Sequence, residues 1–259
     1  MRELNAILAI GYRDFLKFYR DRTRVIGSFI FPLVFIGVLG TSLQANIGQF
    51  VGFNFITFAF TGVLAQLVFQ IVAFGLISMN EERDQNLTQE IFVSPVSRYS
   101  IVIGKILGET VIAMLQAAAV LLFGLVIGVP MTLQKFLTIG PLLVAIAFLG
   151  GTFGLLVVAN LRTQRSAQQL FPLFLFPQFF LAGVFSPIKS LPVFLLIPSR
   201  IVPLTYAVDL VRSVFYRGAP EAQLLVLHSP LFNFSVILVV SIVFLVLGTW
   251  LFVRNEKNR

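Results

Sequence analysis

Residues 53–79 read FNFITFAFTGVLAQLVFQIVAFGLISM, and residues 80–98 read NEERDQNLTQEIFVSPVSR. The first run has no Asp, Glu, Lys or Arg. At about 1.5 Å per helical residue it is about 40 Å long, enough to cross a hydrocarbon core of about 30 Å. The second holds Glu81, Glu82, Asp84 and Glu90, four of the chain's eleven acids. A second apolar run follows from Ser100. Charge packed between two spanning-length apolar segments is the signature of a helical membrane protein with a polar loop. A transmembrane β-barrel would show short alternating segments instead.

The pattern extends along the 259 residues. Spans are predicted at 25–43, 53–79, 100–127, 136–159, 167–185 and 232–253. Before them, Leu4, Ile7, Leu8, Gly11, Tyr12, Phe15, Phe18 and Tyr19 follow one helical face. Residues 1–22 therefore read as an amphipathic helix lying at the membrane interface; the alternative is a helix packed on a soluble partner. Residues 187–230 contain Pro187, Pro192, Pro198 and Pro203, which cut the segment into pieces too short to span. They read as broken helices that dip into the outer leaflet and return. The last span then carries the chain back, and a single membrane domain accounts for residues 1–259. The first apolar run follows a long charged segment and is long enough to span, so a cleavable signal peptide is not expected.

Composition supports the class. Charged residues make up 12% of the chain, and hydrophobic residues 58%. With both termini on one side, only Lys135, Lys189, Arg200, Arg212 and Arg217 of the nineteen basic residues fall on the other. The positive-inside rule makes the basic side cytoplasmic. The net charge of +8 thus reports topology rather than nucleic-acid binding.

Chemistry is narrowly bounded. Cysteine is absent and His228 is the sole histidine, which removes thiolate and histidine-cluster metal sites. The Gly104-Lys105 pair lacks the rest of a phosphate-binding loop. No catalytic, metal or cofactor residues are expected. Candidates for a translocation path are the neutral polar residues of the spans: Asn54, Gln66, Gln70, Gln116 and Gln178. The alternative for each is a hydrogen bond between helices. Glu109, the one acid inside a predicted span, sits four residues after Lys105, at ion-pairing distance on a helix.

Two motifs resemble a known family. EERDQNLTQEIFVSPVSRYSIVIGKILGE (81–109) resembles the first cytoplasmic loop of ABC-2 type transporter permeases: Glu82-Arg83, Glu90, Ser94-Pro95-Val96-Ser97-Arg98 and Gly104-Lys105 stand at matching positions. Asn86-Leu87 replaces the family's usual Gly-Thr turn. LAGVFSPIKSLP (181–192) with VPLTYAVDLVRSVFYRG (202–218) looks like the outer segment of the drug-exporter branch, through Pro203, Thr205, Tyr206, Asp209 and Arg212.

The resemblance implies an all-α integral membrane fold with six spans and a coupling helix in the cytoplasmic loop 80–99. That helix would dock on a separate ATP-binding cassette subunit through Glu81, Glu82, Arg83, Asp84, Leu87, Glu90, Ile91 and Phe92. It implies two ATPase copies holding ATP and magnesium, a second and identical permease chain, no nucleic acid, and a place in the lipid of the inner membrane. The implied function is export of a drug-like or lipid-like amphiphile, with glycan export as the alternative within the family. An ATP-independent transporter would need a buried coupling group, and Glu109 is the candidate. Read without the resemblance, the loop 80–99 is equally a solvated spacer.

Overall fold

The structure is a computed structural model and describes all residues except 1, 49, 85–96, 162, 258 and 259. The described residues form helices joined by turns. Helix α1 is Arg2–Arg20. Helix α2, Arg22–Val34, runs into a π-helical stretch, Phe35–Gly40, and then α3, Thr41–Ile47. Next come α4 (Phe55–Gly75), α5 (Ser78–Asp84), α6 (Arg98–Val126), α7 (Leu133–Ala159) and α8 (Gln164–Leu181). The last part holds α9 (Val193–Ile201), α10 (Pro203–Phe215), α11 (Ala222–Leu225) and α12 (Pro230–Lys257).

Among the described residues, five helical stretches are long and apolar enough to cross a membrane: Val25–Asn46, Phe55–Glu82, Tyr99–Val126, Leu133–Ala159 and Ala222–Asn255. Four of the expected spans and the last one correspond to these. The expected fifth span, 167–185, is present as α8 but does not reach the same apolarity. Its first two turns carry Gln164, Arg165, Gln168 and Gln169, and Pro172 and Pro177 interrupt it. Helices α9 and α10 meet at 90°. They are 9 and 13 residues long, or about 14 and 20 Å at about 1.5 Å per residue, so neither crosses alone. Pro203 at the first position of α10 starts the second arm, where its missing N–H has no intrahelical partner to lose.

Side-chain caps start the long helices. Asn54 accepts from Thr57 N, Ser97 from Ser100 N, Thr132 from Lys135 N and Thr163 from Ser166 N. Each satisfies one of the amides a helix start leaves unpaired.

Helix α4 is the centre of the bundle; 17 of its 21 residues are buried, against α6, α7 and α10. Glycine sets how close α7 comes. A methyl added at Gly150 would lie 2.2 Å from the Phe69 carbonyl oxygen, and one at Gly154 would lie 2.5 Å from that of Ala73. This pair of small residues four apart therefore packs α7 directly on the α4 backbone.

The start of α1 and the end of α12 lie at one end of the bundle. Asn80 Nδ2 donates to the Leu161 carbonyl at 3.2 Å, and Asn255 Nδ2 to that of Ala159 at 2.7 Å. Glu3 accepts from Ser97 N through both carboxylate oxygens, at 3.1 and 3.2 Å. So α1, α5, the α7–α8 turn and the tail of α12 share this end, and the α9–α11 segment caps the opposite one.

Candidate functional site

At the terminal end, α1 lies across α5 and α6. Its apolar face divides in two. Phe18 is buried, while Leu4, Leu8, Tyr12 and Tyr19 are exposed. Contact with α6 is made through glycine: a methyl at Gly11 would meet Gly104 O and Gly108 N at 3.4 Å.

Beside this contact lies a buried ion cluster. Lys105 Nζ, 1% exposed, meets Glu82 Oε1 at 3.1 Å and Asp14 Oδ2 at 3.3 Å, and donates to Ser78 Oγ at 2.8 Å. Arg13 pairs with Asp14 at 3.1 Å and closely with Glu82, and Lys17 reaches Glu82 at 3.8 Å. Two buried carboxylates thus face one buried ammonium and two basic groups nearer the surface. Such a cluster holds because each charge is compensated; a buried charge left alone would cost several kcal/mol. Glu82 therefore turns inward and ties α5 to α1 and α6. Of the other expected coupling residues, Glu81 is partly exposed on α5. Arg83 and Asp84 close that helix, and Leu87, Glu90, Ile91 and Phe92 lie outside the described residues. Sequence reading missed Asp14 and Arg13, whose partners outside α1 are 69 or more positions away.

The expected path residues separate. Asn54 caps α4. Gln66 is buried and its Nε2 lies 3.4 Å from Gln70 Oε1. Gln70 and Gln116 share a cavity of about 280 Å³ between α1, α2, α4 and α6, with Phe18, Ser28, Phe74 and Ile112 in its walls. Gln178, on α8, donates to the Phe174 carbonyl at 3.0 Å and stands apart from that cavity. Glu109 is buried, its carboxyl packed where a side chain on Gly75 would sit.

Two apolar hollows adjoin at the other end. One, about 340 Å³, is lined by Phe35, Leu39, Phe55, Ala59, Phe180 and Val184 among others. The other, about 530 Å³, includes Phe53, Lys189 and Leu224. Leu43, Phe55 and Phe185 belong to both, so they form one cleft between α2–α3, α4 and the end of α8. The π-helical stretch supplies part of its wall. At the end of that stretch Thr41 Oγ1 donates back to the Gly37 carbonyl, with the Val38 carbonyl 3.2 Å away, and the Thr41 backbone N–H donates to Val38 as well.

The outer-segment motif is a structural hub. Thr205 Oγ1 donates to the Ser199 carbonyl at 2.5 Å, and Tyr206 Oη to that of Arg200 at 2.7 Å, which hold α9 against α10. Asp209 accepts from Leu227 N, His228 N and Asn233 Nδ2, each at 2.8 Å. It thereby fixes the chain that enters α12. Arg212 is buried over the Phe58 ring, 3.8 Å from its centroid, and reaches the Phe58 carbonyl at 3.4 Å. Gly62 leaves the room for it: a methyl there would lie 3.0 Å from the guanidinium. Asn233 and Gly62 are the members of this hub that the sequence did not announce.

The described residues thus make an all-helical membrane domain with a charged joint at one end and a stapled, bent helix pair at the other. Residues 5–216 match the ABC-2 type transporter family. The chain belongs to that family. It is similar to the "Probable multidrug ABC transporter permease YbhR" of Escherichia coli (strain K12), 28% identical over 163 residues that cover 61% of this chain and 44% of that protein. It is also similar to the "Putative transport permease ycf38" of Cyanophora paradoxa, 22% identical over 265 positions, covering 98% of this chain and 90% of that one. A third relative is the "ABC transporter G family member 20" of Dictyostelium discoideum, 26% identical over 167 residues, 64% of this chain and 23% of the other. The match spans less than half the length of the bacterial relative.

Proposed function

We propose that the chain is the permease subunit of an ATP-driven exporter of amphipathic, drug-like or lipid-like molecules. A separate ATPase subunit, in two copies, binds ATP and magnesium, and a second, identical permease chain completes the membrane half. The end that holds both termini faces the cytoplasm, in keeping with its share of basic residues. The segment that follows α5 docks on the ATPase. Nucleotide binding moves that segment, and the movement biases two arrangements of the membrane helices.

The observation that carries this reading is the buried cluster of Asp14, Glu82 and Lys105. It fastens the entrance of the docking segment to α1 and α6, so displacement at the loop reaches the spans without slack. The Phe-lined cleft at the far end supports an apolar cargo over an ion.

Because Glu82 is an internal anchor, replacing it would confuse docking with folding. Leu87→Asp is the cleaner test. It should abolish copurification of the ATPase and its stimulated ATP hydrolysis while the permease keeps its elution profile. Unchanged copurification and hydrolysis would refute the docking assignment.

A further inference from the structure

The cavity between α1, α2, α4 and α6 has an unusual chemistry for its depth. Gln70 lies about 24 Å along α4 from Asn54, and Gln116 about 17 Å along α6 from Lys105, at about 1.5 Å per residue. Both are well inside the span of the bundle. Apart from Ser28, whose hydroxyl donates to the Val25 carbonyl, the remaining walls are mainly apolar, with Phe18, Leu67, Ile71, Phe74 and Ile112. Gln116 lines the cavity, is 1% exposed, and its Oε1 has no hydrogen-bond partner. Gln66 stands behind Gln70, is also 1% exposed, and its Oε1 likewise has none, although its Nε2 reaches Gln70. Buried amides are normally paired, and a membrane interior supplies no bulk water to do it.

We infer that this cavity is a binding site for the head of an amphiphile that is uncharged and donates hydrogen bonds, such as a hydroxyl- or amide-bearing head. The unmet atom of the cavity wall, Gln116 Oε1, is a carbonyl acceptor, so it calls for a donor. No Lys or Arg lines the cavity, so a phosphate or carboxylate would enter without a counter-charge; no Asp or Glu lines it, so a full cation finds none either. At about 280 Å³ the volume holds a head group of sugar size, within the lower range of small-molecule sites. The aromatic and aliphatic walls would cover the first part of the tail. The assignment rests on the export reading for its meaning as a cargo site, but not for its existence.

The test uses the full-length protein in nanodiscs of zwitterionic lipid, without nucleotide. Two photoreactive diazirine probes share one alkyl chain; one carries a glucoside head and the other a phosphate head. The glucoside probe should label peptides of α2, α4 and α6 around Ser28, Phe74 and Ile112, at least about fivefold more than the phosphate probe does. Gln116→Met keeps the volume and removes the unpaired amide. It should lower glucoside labelling about three- to tenfold, the worth of one or two hydrogen bonds, with thermal stability equal or higher. If Gln116→Met does not fold, Gln70→Met serves the same comparison. Equal labelling by both heads, labelling that ignores the substitution, or labelling by neither probe (a site for water only) would overturn the assignment. ATP-driven transport is scored separately on the assembled complex. Labelling that survives where transport is absent rejects export and leaves the site; transport without labelling rejects the site and leaves export.

Discussion

Lys105→Met places the sharpest demand on the structure. Lys105 is 1% exposed and faces the carboxylates of Asp14 and Glu82, each 5% exposed as a residue. Removing the ammonium leaves two buried carboxylates close together, with only Arg13 and Lys17, which are 38% and 57% exposed, to answer them. Breaking a buried pair from one side costs about 3–5 kcal/mol. Arg13 keeps its contacts to both acids, so the lower figure, about 3 kcal/mol, is expected. For a domain of this size that lowers the melting midpoint by roughly 6–12 °C. The assay is heating in mild detergent followed by size-exclusion chromatography with fluorescence detection. The double variant Lys105→Met with Glu82→Met should recover more than half of the loss, because an apolar pair replaces an ionic one and Asp14 retains Arg13. A single-variant shift under about 2 °C, or losses that simply add in the double variant, would refute the account of the cluster as a compensated buried network.

Gly154→Leu should collapse the yield of folded protein, since even a methyl there meets the Ala73 carbonyl oxygen at 2.5 Å, whereas Gly140→Ala, with nothing within 4 Å, should be silent in the same purification. Asp209→Ala removes an acceptor used by Leu227 N, His228 N and Asn233 Nδ2; it should cost about 2–4 kcal/mol and open the chain before α12 to proteolysis, read as a new cleavage near residues 225–229. Ala59→Trp fills the apolar cleft beside Phe55 and Val184; transport of an amphiphile in proteoliposomes should fall at least about tenfold, as steric exclusion requires, while nucleotide hydrolysis by the complex persists.

Much of this architecture was legible in the chain, because lipid leaves helices few alternatives. Apolar runs marked the crossings, and four prolines marked the broken segment before the last span. What escaped was long-range. Glu82 was expected among the docking residues from its polar neighbours in sequence; its ion-pair partners lie well away, Arg13 and Lys17 on α1, 65 or more positions earlier, and Lys105 on α6. Gln70 and Gln116 were visible singly, and only the packing of α4 on α6 brings them to one cavity. Asp209 and Arg212 stood out as charges in an apolar setting. The backbone amides and the Phe58 ring that receive them carry no pattern a sequence could display. The weak apolarity of α8 was hidden for a different reason: its Phe-rich second half outweighs the glutamines of its first turns when both are read together.

The backbone-to-backbone seat of Gly11 on Gly104 and Gly108, locked beside the ion cluster, has a mechanical corollary. Helices joined that way cannot roll on one another, so α1 and α6 turn as one stiff beam. Helix α6 has 29 residues and is about 43 Å long at about 1.5 Å per residue. A tilt of about 5° applied at its charged end would carry the far tip sideways by about 4 Å over that length. That is close to the width of a hydrocarbon chain, so a small displacement at the charged end is enlarged at the far end of the bundle.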